Sequence, residues 1–311
     1  MATTLEELEC FTCSTVVLYQ ERSGEYMQTI SDTMLEPMVV LFVSVAALWI
    51  VIQGYKLVIG TASPVDILRG FFFIGISWTM LNTQSSGLIL NVFNTTIDIM
   101  GSAASVVLQD SINTIDTANE QTGLGQLVAV SELGMRNVLN IGWQIATSWT
   151  LTNPLTILYA LLIIIPYFIL MIIYLSHVVV AIFRVMVISA FSPFLMLTFG
   201  FNWGREMTYS GLRTLLSSIL VLFAASLALG SIMYGVSTLT LLEPGKDISD
   251  LAHFGEPEFF LAVALGWMGT AFMTEAVGIA NSVTGTALSN TSIGLMTAGI
   301  TGTAMAVASR A

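Results

Sequence analysis

Between Arg136 and Arg184 the chain carries no Asp, Glu, Lys or Arg, and the same holds from Arg213 to Glu243. A stretch of about 20 apolar residues spans the hydrocarbon of a bilayer. Hydrophobic residues make up 55% of the 311 and charged residues 9%, against about 25% charged in ordinary soluble domains. These features predict an all-α, polytopic integral membrane protein with about five transmembrane helices and a helical periplasmic insertion. The net charge of −11 is then no sign of an acidic surface facing solvent everywhere.

Apolar segments fall at Met38 to Ile59, Phe71 to Phe93, Leu155 to Gly200, Leu215 to Val236 and Phe259 to Val277. The polar stretches between them sort by sign. With the N-terminus outside, the outer segments 1–37, 93–153 and 237–258 hold 17 of the 20 acidic residues but only Arg22, Arg136 and Lys246 among the basic ones. Lys56, Arg69, Arg184, Arg205, Arg213 and Arg310 then lie at or inside the cytoplasmic face. Lys and Arg in short loops set orientation, whereas Asp and Glu contribute little, so the basic residues decide the expectation: N-terminus outside, five net crossings, C-terminus inside. The expected divisions are an N-terminal periplasmic tail (1–37), a transmembrane hairpin (38–92), a periplasmic amphipathic region (93–153), a transmembrane core (154–285) and a Gly/Ala/Thr-rich tail (286–311).

Residues 154–200 must join an outer loop to an inner one, so they cross an odd number of times, and three crossings would leave too few residues for each. One straight helix of that length would measure about 70 Å, longer than the bilayer is thick. The segment must therefore tilt, project or turn back, and Pro166 and Pro193 are the expected bends. Arg184, within the apolar run 176–196, is expected to anchor the inner end by reaching the headgroups; the alternative is a polar lining of a passage.

Met1 to Glu36 is acidic and has no apolar core, so it does not read as a cleaved signal peptide. Its Cys10 and Cys13 are the only two cysteines of the chain. A local disulfide or two free thiols suits them better than metal ligation, because the only histidines, His177 and His253, are far away in sequence. Further on, Phe93, Ile97, Ala104, Leu108, Ile112 and Ile115 recur at helical spacing. After a break at Glu120 to Gly123, so do Leu127, Val130, Val138, Ile141, Ile145 and Trp149. Two amphipathic helices follow, either packed on one another at the membrane surface or offering a docking surface to extracytoplasmic partners.

Motifs of catalysis are missing from the sequence. It has no G-x-x-x-x-G-K-[ST] run for nucleotide phosphates and no Cys/His spacing for zinc, so no catalytic, cofactor-binding or metal-ligating residue is expected. Glu275 is the one acidic residue inside an apolar segment. A carboxylate there raises the possibility of ion coupling, although its place near the inner end of the last helix also lets it snorkel or pair with an Arg such as Arg213.

The run RVMVISAFSPFLMLTFGFNWGREMTYSGLRTLLSSILVLFAASLALG (184–230) joins a Ser-Pro break, a short Arg-containing turn with Trp203 and a further apolar helix. It is followed by FFLAVALGWMGTAFMTEAVGIANSVTG (259–285), whose small residues line a helix. This arrangement resembles the TrbL-type polytopic inner-membrane subunit of bacterial type IV secretion and conjugation machines, in layout over roughly residues 38–285 and in local pattern over 184–285. The resemblance implies a non-enzymatic channel or pilus-assembly platform, a homo-oligomeric ring (a pentamer by family likeness) and partners among pilin, minor pilin and bitopic scaffold subunits. It also implies transient contact with translocated protein or single-stranded DNA. The acidic outer segments speak against a direct grip on DNA, which needs clustered Lys and Arg.

Two other classes stand against this one. A secondary transporter or ion-coupled membrane protein would show a central site in two related halves, and no internal repeat is visible. A membrane enzyme would need convergent polar groups at one depth, for which only Glu275 and Arg184 are candidates. Within the last apolar helix, Gly266, Gly269, Ala276, Ala280 and Ser282 are expected to give a face for close contact between copies of the chain.

Overall fold

The computed structural model describes residues 12–82, 85–111, 123–147, 156–239 and 257–285. Among these residues there are eight helices and no strand. In chain order they are α1 (Cys13–Val58), α2 (Pro64–Asn82), α3 (Ser85–Ser111), α4 (Leu124–Thr147), α5 (Thr156–Ala190), α6 (Ser192–Phe199), α7 (Arg205–Ser237) and α8 (Pro257–Thr284). Five of them, α1, α2, α5, α7 and α8, are long and apolar enough to cross a membrane. The protein is thus an all-α, multi-pass membrane protein.

Local chemistry sets where several of these helices start and stop. Pro64 opens α2, where its fixed φ and missing N–H cost nothing, and the second membrane helix accordingly begins earlier than the apolar run from Phe71 suggests. It ends at Asn82, and α3, starting at Ser85, runs through the expected division at 92/93. Asp66 and Arg69, near the start of α2, dilute the hydropathy there and hide its first turns. Pro166 lies inside α5 without ending it, whereas the chain does break at Phe191, and Pro193 stands in the first turn of the short α6. Of the two expected bends, the one at Pro193 coincides with a break between helices. Residues 200–204 then lead into α7.

The amphipathic pattern of the region after α2 corresponds to burial. Phe93, Ile97, Ala104 and Leu108 on α3 are all at most 1% exposed, and Leu127, Val130, Val138 and Ile145 on α4 at most 3%. Ile112, Ile115 and Trp149 lie outside the described residues. Gly123, at φ +69°, holds the left-handed conformation that ends the connection into α4. A Cβ on Gly101 would come within 2.3 Å of the Gly123 backbone, so α3 and the start of α4 meet backbone to backbone.

The chain divides into two compact units. The first comprises Met1–Leu18, Asp98–Ala181 and Ile219–Ala311, the second Tyr19–Ile97 and Ile182–Ser218. The first contains α4, α8, most of α5 and the latter part of α7; the second contains most of α1, all of α2 and α6, and the start of α7.

Candidate functional site

In the first unit, α5, α7 and α8 meet along a seam of tyrosines and small residues. Tyr167 and Tyr174, seven positions apart and so on one face of α5, are both 0% exposed. The Tyr167 hydroxyl donates to the Ala262 carbonyl of α8 at 2.8 Å. Tyr174 and Ser226 of α7 are 3.1 Å apart; because the Ser226 hydroxyl already donates to the Leu222 carbonyl at 2.9 Å, Tyr174 is the donor. Lipid offers a buried hydroxyl no water, so each of these bonds also fixes which helix faces which.

The glycines of α8 let these helices close up. A Cβ on Gly266 would lie 2.9 Å from the Tyr167 ring and 3.0 Å from Pro166, and one on Gly269 3.0 Å from Leu170 and 3.2 Å from Ile232. Further along, Ala280 and Val277 pack on Val221. Lipid tails are as apolar as Leu, so helices associate in a bilayer through close van der Waals fit. Gly266, Gly269 and Ala280 of the face expected to join copies thus contact α5 and α7 of the same chain, while Ser282 is exposed.

At the beginning of α1, the Thr12 backbone N–H and hydroxyl both donate to Glu132 Oε2 of α4, at 2.9 and 2.5 Å. Glu132 therefore caps α1 from another helix, where its negative charge also complements the helix dipole. Cys13 beside it is 3% exposed and disulfide-bonded, and its sulfur lies 3.6 Å from the Gly125 carbonyl. Cys10 lies outside the described residues.

In the second unit, aromatic rings pack on one another and on Gly70, where a Cβ would come within 2.4 Å of the Trp49 ring. The Ser77 hydroxyl of α2 donates to the Met196 carbonyl of α6. Phe42 of α1 stacks on Trp78 of α2, with centroids 5.9 Å apart, and meets Phe201 at 5.7 Å, which in turn stacks on Trp203 at 6.1 Å. Phe73 of α2 meets Phe199 edge-on at 5.6 Å, and the Arg205 guanidinium lies 3.6 Å from the centre of the Phe73 ring. The turn at 200–204 is thereby clamped to α1 and α2.

The residues singled out from the sequence are divided between the units. Arg184, Pro193, Trp203 and Arg213 belong to the second, Cys13, Gly269, Glu275 and Ala280 to the first. Pro193, Gly269 and Ala280 are buried, Arg184 is half-buried, and Trp203, Arg213 and Glu275 are exposed. These residues do not converge on a single centre. Among the described residues no three His, Cys, Asp or Glu stand where they could hold a metal ion. Sequence reasoning missed Tyr167, Tyr174, the Thr12–Glu132 cap and the Phe73–Arg205 stack. Only the seven-residue spacing of the two tyrosines was available as a signal.

A family model described as TrbL/VirB6 plasmid conjugal transfer protein matches residues 46–265, more than two thirds of the chain. No curated protein matches it. The matched range begins within α1, ends within α8 just before Gly266 and takes in the clamp of the second unit apart from Phe42. An all-α chain with five membrane-length helices, no assembled catalytic centre among its described residues and this match is a multi-pass membrane component of conjugal transfer machinery: it belongs to the TrbL/VirB6 family.

Proposed function

We propose that the protein is an oligomeric platform in the bacterial inner membrane, with its N-terminus in the periplasm and its C-terminus in the cytoplasm, where substrate translocation and pilus assembly are organised. The observation that carries this reading is the bareness of the α1–α2 hairpin. Only 6% of the most apolar stretch of α1 and 17% of that of α2 is buried by the chain itself. Leu48, Val51, Tyr55, Val58, Val65 and Leu68 are each 61% exposed or more. A surface of this extent suits both lipid and neighbouring copies, and a ring is the usual closed outcome of repeated head-to-tail contact. Pilin, minor pilin and bitopic scaffold subunits would meet the ring from outside through α3 and α4, and protein or single-stranded DNA would pass in transit.

The orientation has its own support. A disulfide at Cys13 persists in an oxidising compartment, which suits an N-terminus in the periplasm, as does the partition of Lys and Arg. Labelling of single cysteines in a cysteine-free background tests it. Asn119 and Ser249 are expected to react from outside and Thr61 and Asn202 to be protected; outside labelling of Asn202 would overturn the five-crossing arrangement.

A further inference from the structure

The Arg205 guanidinium is held by two contacts that leave its ends free. Its plane lies 3.6 Å from the Phe73 ring centre, and its Nε donates to the Phe199 carbonyl at 3.3 Å. Neither terminal nitrogen has an acceptor among the described residues. A second guanidinium, that of Arg69, lies on α2 one helical turn before Phe73, the ring on which Arg205 stacks, and so on the same face of that helix, close enough to act on Arg205 electrostatically; Arg69 is exposed and makes no hydrogen bond or ion pair among the described residues. The acids nearest in sequence, Asp66 and Glu206, are exposed and bridge neither arginine. Two like charges thus stand together without a carboxylate, beside an oriented fork that matches a phosphate.

Their surroundings supply the rest of a lipid. Leu68 and Phe72, which flank Arg69 in the sequence of α2, are 72% and 66% exposed, and Trp203, two residues before Arg205, is 64% exposed. Phe73 lies about 6 Å further along α2 than Arg69, and the apolar run of α2 begins at Phe71, so Arg69 stands at the edge of the stretch that suits acyl chains. Trp is enriched at that boundary. From this juxtaposition we propose that Arg69 and Arg205 bind the phosphate headgroup of an anionic phospholipid whose tails lie along Leu68 and Phe72. The proposal depends on the protein spanning a membrane and not on its part in transfer.

The test is native mass spectrometry of the purified full chain in neutral detergent, titrated with phosphatidylglycerol or with phosphatidylcholine of the same acyl chains. The wild-type protein should retain phosphatidylglycerol about thirtyfold more tightly, as the contribution of two basic side chains near a lipid surface implies. Arg69→Gln, at an exposed position whose loss disturbs no contact, should cut the preference to about fivefold, and Arg69→Gln with Arg205→Gln should abolish it. Arg205→Lys should restore part of it. Equal retention of the two lipids by the wild type, or a preference that survives in the double variant, would overturn the proposal. So would displacement of the lipid by millimolar inorganic phosphate, which would assign the pair to a free anion, or tighter binding of poly-glutamate than of phosphatidylglycerol, which would assign it to an acidic protein partner.

Discussion

The seam of α5, α7 and α8 and the hairpin of α1 and α2 are both built from membrane-length helices, yet they bury very different shares of their apolar length. A third of the most apolar stretch of α5, half of that of α7 and a third of that of α8 is covered, whereas α1 and α2 are nearly bare. Composition does not separate them, since all five are long and apolar. The contacts differ in extent more than in kind: Gly266, Gly269 and Ala280 set α8 against α5 and α7 along much of its length, while the hairpin closes at Gly70 against Trp49 and through rings at Phe42, Phe73 and Trp78. Small residues bring helices into close contact; large exposed ones, such as Leu48 and Val51, leave a surface for other molecules.

Substitutions that attack the two regions should differ in size. Gly269→Leu places a branched side chain where Leu170 and Ile232 already sit and should destabilise the folded chain by about 3 kcal/mol, seen as a lowered Tm of the purified protein in detergent. If it leaves Tm unchanged while dissociating an oligomer, the face serves copies of the chain after all. Tyr174→Phe removes one buried donor, but Ser226 keeps its bond to Leu222, so the loss should be about 0.6 kcal/mol; a loss above about 2 kcal/mol would mean that the tyrosine holds a larger network. Val51→Ala on the bare hairpin should change monomer stability by less than about 0.5 kcal/mol, and a larger change in the monomer would show that the hairpin is covered.

Much of this architecture was legible from periodicity and charge. The helices α3 and α4 have one buried and one exposed side, which stamps a helical repeat on Ile97, Leu108, Leu127 and Ile145, and charge-free runs mark α5 and α7. Hydropathy placed the second membrane helix too late because Asp66 and Arg69 sit in its first turns, although Pro64 is itself a start signal. The break at Phe191 was visible through Pro193. Pro166, the other expected bend, stays within α5, where Gly266 of α8 packs against it. The role of the small residues of α8 was legible only in part, since a stripe of Gly and Ala calls for a close neighbour without saying which chain provides it. The Phe73–Arg205 stack joins residues more than a hundred positions apart, and no local pattern announces it.

Site-specific photo-cross-linking in native membranes tests the central contrast most directly. If copies meet at the bare hairpin as proposed, a photoreactive phenylalanine analogue at Leu48 or Val51 should give adducts of twice the chain mass, and the same analogue at Ala276, which is 3% exposed, should give none. Adducts between copies from Ala276 and none from either hairpin position would contradict the account.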